Sequence, residues 1–242
     1  MSLPDYAGLT REDPNPLKRW LQERRLSDAL AALPDGLQPG VAVDYGAGDG
    51  ELARRLAGRF PEARVIAFEP APSFAEAARA LLAGQGEVTE DENALPDGAA
   101  DLVVCTEVFE HLPPAEERAA LAQIERVLSP GGLLLIGVPV ETGPPALLKG
   151  LFRAARRAGA EDARWPAIRN AAGGRAPVPR QVVEIAPGRR YHPSHLGFDH
   201  RALRARLAER FAFVRERRSP LAALPVWAAS EVYWLLERRS GL

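Results

Sequence analysis

The chain has 242 residues, of which 46% are hydrophobic and 26% are charged, so it can bury a full core and fits one α/β domain better than two. Its 31 Lys and Arg residues against 32 Asp and Glu residues leave a net charge of -1, which argues against nucleic-acid binding through bulk positive charge. A single cysteine, Cys105, excludes an internal disulfide and a cysteine-based zinc cluster, and favours a reducing compartment.

The N-terminal segment, residues 1–40, is predicted to be a helical lead to the main domain. It shows no apolar core of a signal peptide, and no later run approaches the roughly 20 apolar residues of a membrane span, so we expect a cytoplasmic protein. Residues 15–33 place Leu17, Trp20, Leu21, Leu30 and Leu33 on roughly one helical face. We interpret the basic face of this helix as solvated, with a membrane or an acidic partner as the alternative.

From residue 41 onward, strands and helices alternate. Apolar strand segments at 41–46, 63–70, 101–108 and 128–140, with a short one within 86–96, are each followed by a turn or helix. Apolar runs of this kind are typical of parallel strands buried on both faces, which predicts a doubly wound, Rossmann-like α/β fold. Segments 211–218 and 230–239 have no helix between them and must pair antiparallel. The expected sheet is therefore seven-stranded and mostly parallel, with a reversed C-terminal edge strand.

The turn after the first strand is rich in glycine, at Gly46, Gly48 and Gly50. A dinucleotide fingerprint, G-x-G-x-x-G, would need glycine where Glu51 stands. Asp44, Asp49 and Glu51 would also repel a pyrophosphate. The turn thus favours a ligand with a cationic end.

The pattern D-x-G-x-G-x-G from Asp44 to Gly50, followed by Glu69 at the end of the second strand, resembles the class I S-adenosylmethionine-dependent methyltransferases. The resemblance covers roughly residues 41–140 and the closing hairpin, because the family sheet also ends in a reversed seventh strand. It implies S-adenosyl-L-methionine as cofactor and S-adenosyl-L-homocysteine as product. Residues 41–242 then form the methyltransferase domain, with 141–198 inserted as a lid over the acceptor site.

The resemblance also implies the cofactor contacts. Asp44 would orient the methionine end, and Glu69 would accept hydrogen bonds from both ribose hydroxyls. The other implied contacts are the turn residues Gly46, Ala47, Gly48 and Gly50, Pro70 beside the adenine, Asp91 and the backbone amide of Glu92 on the adenine edge, and Thr106 near the transferable methyl group. The alternative for each acidic residue is a helix N-cap.

Glu107, His111 and His195 are the candidate catalytic residues on the acceptor side. A hydroxyl acceptor would need a base with a pKa near 7, for which histidine is the usual choice, although His111 could instead only bond to the backbone. Glu107, Glu110, His111 and His192 or His195 could converge on a metal, but their spacing matches no standard ligand set, so no metal is predicted.

The insertion carries more arginines than acidic residues, and we expect these arginines to grip an anionic acceptor that is phosphorylated, carboxylated or glycan-like. A solvated helix face is the alternative. The arginines are Arg153, Arg156, Arg157, Arg164, Arg169, Arg175, Arg180, Arg189 and Arg190.

The sequence predicts a methyltransferase for a small molecule, with oxygen as the accepting atom. A methyltransferase for RNA or protein is a second interpretation, which the near-neutral charge disfavours. A third is a cofactor-binding interaction module without catalysis. A nicotinamide dehydrogenase is disfavoured by Glu51 and by the reversed hairpin.

Overall fold

The computed structural model describes residues 15–143, 147, 165–173, 180–195, 197–223, 225–226 and 229–239. Within these residues the helices are α1 (Pro16–Ala32), α2 (Glu51–Arg59), α3 (Pro72–Leu82), α4 (Pro114–Val127), α5 (Trp165–Ala172) and α6 (His200–Arg210). The strands are β1 (Val41–Tyr45), β2 (Arg64–Phe68), β3 (Glu87–Thr89), β4 (Ala100–Thr106), β5 (Leu128–Pro139), β6 (Val183–Ala186), β7 (Arg189–Tyr191), β8 (Phe211–Ser219) and β9 (Glu231–Arg238).

Seven strands form the central sheet, in the order β3-β2-β1-β4-β5-β9-β8. Strands β1 to β5 are parallel to their neighbours, whereas β9 runs antiparallel to β5 on one side and to β8 on the other. The predicted seven-stranded, mostly parallel sheet with a reversed C-terminal strand is therefore confirmed. Because the strand order reverses on either side of β1, the ends of β1 and β4 border the crevice in which such sheets bind ligands.

The two faces of the sheet are buried by two separate apolar clusters. In β1, Val43 and Tyr45 point into one cluster and Ala42 into the other, as expected for side chains that alternate along a strand. Helices α4 and α6 cover the first face, and helices α1 and α2 cover the second. The continuous apolar strands of the sequence are thus explained by burial on both sides.

Helix α1 packs on β8 and β9, and its buried face agrees only in part with the predicted one. Leu33, on the predicted face, is buried, whereas Trp20 is 52% exposed and Ala32, outside the prediction, is buried. The basic side is not simply solvated either, because Arg24 donates to the buried carboxylate of Asp28 at 3.0 Å. The apolar periodicity therefore predicts the helix and one end of its buried face, but not the exposure of Trp20.

The described parts of the insertion, residues 141–198, form helix α5 and the antiparallel hairpin β6–β7. After β7 the chain returns to the edge of the sheet, where the backbone amide of His192 donates to the carbonyl oxygen of His111 at 2.7 Å. The hairpin therefore lies against the C-terminal end of β4. Among the described residues, no helix combines the length and apolar character needed to cross a bilayer.

Candidate functional site

The turn between β1 and α2 is shaped by three glycines with positive φ: Gly46 (81°), Gly48 (56°) and Gly50 (84°). The backbone amides of Gly46 and Ala47 both donate to the carbonyl oxygen of Phe68, which fastens the turn to β2. No described atom lies within 4 Å of the position that a Cβ on Gly48 would take, whereas a Cβ on Gly46 would lie 2.5 Å from Val108. The space beside Gly48 is therefore open to a ligand.

Two buried carboxyl groups border this turn. Glu69 accepts the backbone amide of Gly48 at 2.9 Å through Oε2 and that of Ala71 at 2.9 Å through Oε1. Asp44 is 2% exposed, and its Oδ2 has no hydrogen-bond partner among the described residues. Burial raises the pKa of each group to about 7, and for Asp44 the charges of Glu69 and Asp49 add to the effect. A ligand that brings a cation or hydroxyl donors would satisfy both groups.

The segment after β3 holds the predicted adenine contacts. Asp91 caps a short 3₁₀ helix, Glu92–Ala94, by accepting the backbone amide of Asn93 at 2.9 Å. The side chain of Glu92 accepts the Tyr45 hydroxyl at 3.2 Å and pairs with Arg189 of the insertion at 2.7 Å. Asp91 is thus a cap in this structure, and its predicted contact with adenine stays a prediction.

At the end of β4, Thr106 is followed by Glu107, a non-glycine residue with a φ of 58°. Such a conformation is strained for a side-chain-bearing residue and is common at functional sites. Glu107 Oε2 lies 3.3 Å from the Arg25 guanidinium, which also contacts the fully buried Glu231 at 2.5 Å. Helix α1 therefore reaches the end of β4 through Arg25.

A cluster of Glu110, His111 and His195 lies beyond Glu107. The Nε2 atoms of the two histidines are 3.0 Å apart, and each lies 4.0 Å from Glu110 Oε1. The Glu110 side chain is 0% exposed, and neither of its carboxyl oxygens has a hydrogen-bond partner among the described residues. Burial, followed by the charge of Glu107, raises the pKa of Glu110 well above its ordinary value.

The His111 ring is held rigidly. It stacks on Tyr191 with ring centres 4.3 Å apart, and its Nδ1 lies 2.7 Å from the carbonyl oxygen of His192. Because a carbonyl oxygen only accepts, Nδ1 carries the proton and Nε2 directs a lone pair at His195. Burial, followed by the charge of His195, lowers the pKa of His111 to about 3, so the ring is neutral at physiological pH.

Arg180 is the insertion arginine that comes closest to this cluster among the described ones. Its guanidinium donates to the carbonyl oxygens of Glu110 and Ser194, and its buried Nε has no hydrogen-bond partner among the described residues. Arg189 and Arg190 instead pair with Glu92 and Glu116. Of the other insertion arginines, Arg169 lies exposed on α5, and five are outside the described residues: Arg153, Arg156, Arg157, Arg164 and Arg175.

The structure brings most of the predicted site residues to one edge of the sheet. His111 and His195 converge with Glu110, and the charge of Glu107 acts on His111. The side chain of His192 instead turns away to the carbonyl oxygen of Gln181. Sequence reasoning missed Arg25 and Tyr191. Nothing near Arg25 in the sequence distinguishes it from the other arginines of α1, since its partners are 82 and 206 residues away.

Comparisons with known proteins agree with this geometry. Residues 43–136 match a family described as a methyltransferase domain. The chain is 32% identical to trans-aconitate 2-methyltransferase of Methylobacterium radiotolerans, covering 50% of this chain and 46% of the relative. It is 36% identical to malonyl-[acyl-carrier protein] O-methyltransferase of Geobacter sulfurreducens, covering 56% and 52%. The chain therefore spans about half the length of these curated relatives.

Among solved structures, the chain is similar to N-methyltransferase NodS of Bradyrhizobium japonicum in complex with S-adenosyl-L-homocysteine. The TM-score is 0.57 at 15% identity, with 94% of this chain and 90% of the other covered. A second is the 1,6-didemethyltoxoflavin-N1-methyltransferase of Burkholderia thailandensis, with a TM-score of 0.54 at 18% identity, covering 98% and 91%. At these identities the likeness is one of fold.

Proposed function

Because residues 43–136 match a methyltransferase domain, we propose that this protein transfers the methyl group of S-adenosyl-L-methionine to an oxygen atom of a carboxylated small molecule. The observation that carries the proposal is the pairing of two sites at one sheet edge. Buried carboxyl groups border an open glycine turn, and the Glu110, His111 and His195 cluster lies beside Arg180.

On the cofactor side, the described residues fit the group that the family binds. The cofactor supplies a methyl group on a positively charged sulfur, next to an ammonium group and a ribose. Asp44 offers the ammonium group a buried oxygen that otherwise has no partner among the described residues, and Glu69 offers its carboxylate to the ribose. Gly48 leaves room for the backbone to approach the ligand. Pro70, Asp91, Glu92 and Thr106 keep their predicted contacts as part of this proposal.

On the acceptor side, Arg180 supports an anionic substrate. Its buried Nε is an unsatisfied donor among the described residues, and an unsatisfied buried donor costs free energy that a bound carboxylate would recover. The names of both curated relatives point the same way, because trans-aconitate and the malonyl group each carry carboxylates. The second name adds a protein-bound thioester to the acceptors worth testing.

The role of the catalytic residues depends on the acceptor. A carboxylate oxygen forms the new C–O bond while the C–S bond breaks and its electron pair stays on sulfur, so no proton has to be removed. Glu107, His111 and His195 would then only orient the acceptor. With a hydroxyl acceptor, His195 would take the proton, because its ring is the more exposed of the two.

The proposal is tested by turnover on defined acceptors. Purified protein is incubated with isotopically methyl-labelled cofactor and a panel of di- and tricarboxylic acids, including trans-aconitate, and malonyl thioesters, both free and on a carrier protein. We expect a labelled methyl ester, identified by mass spectrometry, from at least one acceptor. Arg180→Met should raise KM for that acceptor about tenfold or more while leaving cofactor affinity unchanged.

Arg190→Met is the matched control, because Arg190 is exposed and pairs with Glu116 on the outside of the hairpin. It should leave KM unchanged. Labelling of bulk RNA or of protein side chains with no labelled carboxylate would contradict the proposal. Cofactor binding without turnover on any of these pools would instead support the inactive interaction module.

A pair of glycine substitutions separates binding from packing in the turn. Gly48→Ala and Gly50→Ala share the strain of a positive φ, but only the Cβ added at position 50 would lie 2.9 Å from the Cα and Cβ of Ala78. We expect Gly50→Ala to lower the free energy of unfolding by roughly 1–3 kcal/mol more than Gly48→Ala. Gly48→Ala should weaken product binding about tenfold, since its methyl group enters the open space beside the turn.

Chemical unfolding and calorimetric titration with S-adenosyl-L-homocysteine measure the two effects on the same preparations. The predicted backbone contact of Gly50 with the cofactor is retained in Gly50→Ala. This variant should therefore lose less affinity for S-adenosyl-L-homocysteine than Gly48→Ala. The opposite ranking in both assays would show that the cofactor lies on the other side of the turn.

A further inference from the structure

We propose that Glu110, His111 and His195 bind a divalent transition-metal cation. Each residue offers one ligand atom, Glu110 Oε1 and the Nε2 atoms of the two histidines, and these atoms are separated by 3.0, 4.0 and 4.0 Å. The sequence spacing matched no standard ligand set, because His195 enters from the insertion, 84 residues after His111.

The size of this triangle fits an ion. A circle through the three atoms has a radius of about 2.2 Å, so a point exists at that distance from all of them, close to the 2.0–2.2 Å of zinc–nitrogen and zinc–carboxylate bonds. The backbone therefore does not have to move for the three side chains to coordinate one cation.

The orientation of His111 is that of a metal ligand. A ligating histidine typically donates its other ring N–H to a carbonyl or carboxylate, which fixes the ring and the tautomer. His111 Nδ1 does this toward the carbonyl oxygen of His192, and Tyr191 stacks on the ring. The lone pair of Nε2 is thus aimed into the cluster before any cation arrives.

The carboxyl group of Glu110, unpartnered in the part of the chain that the structure describes, distinguishes a cation site from a simple hydrogen bond between the two imidazoles. An N–H···N bond accounts for the 3.0 Å contact of His111 and His195. It leaves both fully buried oxygens of Glu110 without a partner among the described residues, which is a costly arrangement. A cation bound between the three residues satisfies this carboxylate and both nitrogens at once.

The surrounding charges favour a divalent ion. The groups that act on Glu110 or on the neighbouring Arg180 include four carboxyl and two guanidinium groups: Glu107, Glu110, Glu141, Glu231, Arg25 and Arg180. With all of them ionised, the site carries an excess of two negative charges. Two imidazoles and one carboxylate are a donor set for zinc, iron, manganese or cobalt rather than for calcium or magnesium.

The cation would have open coordination positions, since the described residues supply three ligands here. His195 is partly exposed, so solvent reaches the site. An acceptor oxygen bound to the cation would be held in place, and a hydroxyl acceptor would lose its proton more readily there. This role toward the acceptor rests on the proposed function, whereas cation binding itself does not.

The test measures metal binding in the absence of cofactor and acceptor. Untagged full-length protein is stripped with a chelator and titrated with Co²⁺, followed by visible absorption, and with Zn²⁺, followed by calorimetry. We expect one equivalent of each ion to bind, and the Co²⁺ bands to show mixed nitrogen and oxygen ligation. Glu110→Gln and His195→Gln should each weaken binding at least about tenfold.

His192→Gln is the matched control, because that histidine lies in the same segment but bonds to the carbonyl oxygen of Gln181. It should keep one equivalent of metal. Absence of saturable binding to the wild-type protein overturns the inference, whatever the variants do, and so does equal affinity in wild type, Glu110→Gln and His195→Gln. Metal binding without methyl transfer would refute the proposed function alone, and chelator-resistant transfer without metal uptake would refute this inference alone.

Discussion

Replacing Asp44 with asparagine is expected to weaken binding of S-adenosylmethionine about 100-fold while stabilising the cofactor-free protein at pH 8. The loss of affinity follows from the buried Asp44 oxygen that has no hydrogen-bond partner among the described residues, since a neutral amide brings no negative charge to the ammonium group of the ligand. Calorimetric titration measures the affinity, and chemical unfolding measures the stability.

The gain in stability follows from the pKa of Asp44. Burial, followed by the neighbouring charges of Glu69 and Asp49, raises this pKa from 3.8 to about 7. Burial, followed by the charge of Asp44, in turn raises the pKa of Cys105 on the adjacent strand well above its ordinary value. An acid with a raised pKa in the folded state contributes stability that is fully present below pH 3.8 and is lost as the pH rises through about 7.

The difference in free energy of unfolding between wild type and Asp44→Asn should therefore depend on pH. Below about pH 3.8 the wild-type carboxyl group is protonated in both the folded and the unfolded state, so the two proteins should have similar stability, and the difference should grow as the pH rises from there to about 7. At pH 8 the variant should be more stable by on the order of 2 kcal/mol, because it buries no charge. A variant that keeps full cofactor affinity, or that loses stability at pH 8, would contradict the assignment of Asp44.

Asp49→Asn provides the control within the same turn. Asp49 is buried and accepts the backbone amide of Glu51 at 3.3 Å, a bond that an asparagine oxygen also makes. We expect a much smaller loss of cofactor affinity in this variant. Comparable losses at both positions would mean that the turn responds to total charge rather than to Asp44.

The central sheet could be predicted because its information is local. Each strand is a short apolar run, and each helix shows apolar residues at helical spacing. The alternation of strands and helices along the sequence is enough to predict a doubly wound sheet. The turn from Gly46 to Gly50 could also be predicted from the sequence, since the positive φ angles there favour glycine. The same reasoning placed α1 correctly but only part of its buried face, because that face depends on β8 and β9 at the other end of the chain.

The acceptor side of the site was only partly predictable. His111 and Glu110 are neighbours in the sequence, but the angle at which they meet His195 depends on how the β6–β7 hairpin returns to the sheet. The insertion arginines, predicted to bind an anionic acceptor together, also differ from one another in their partners in the structure. Of the insertion arginines that the structure describes, Arg189 and Arg190 are neutralised by carboxylates, and Arg180 lies beside the cluster. Charge composition alone does not separate these cases.

Helix α1 is tied to the site by charge as well as by apolar packing. Arg25 bridges Glu107, which follows β4, and Glu231, which begins β9. Tyr233 donates its hydroxyl to the carbonyl oxygen of Arg25 at 3.0 Å, so the same turn of the helix is held to β9 twice. The position of Glu107, which is proposed to orient the acceptor, therefore depends on Arg25, a residue outside the methyltransferase match.

Arg25→Met is consequently expected to lower the free energy of unfolding by about 2–3 kcal/mol, which corresponds to a fall in melting temperature of roughly 5–10 °C. Removing this guanidinium takes an ion pair from Glu231, whose side chain is fully buried, while methionine keeps the apolar stem of the arginine. Arg25 is itself 30% exposed, which places the loss below that of a completely buried pair.

The double variant Arg25→Met, Glu231→Gln tests whether the loss comes from the buried charge. If it does, Glu231→Gln should cost much less stability in the Arg25→Met background than in the wild type, because the uncompensated carboxylate has gone. Arg19→Met, exposed on the same helix, should change stability by less than about 0.5 kcal/mol. Strictly additive losses from the two substitutions would mean that the ion pair with Glu231 contributes no stability, and that Arg25 acts through its other contacts, among them the ion pair with Glu107.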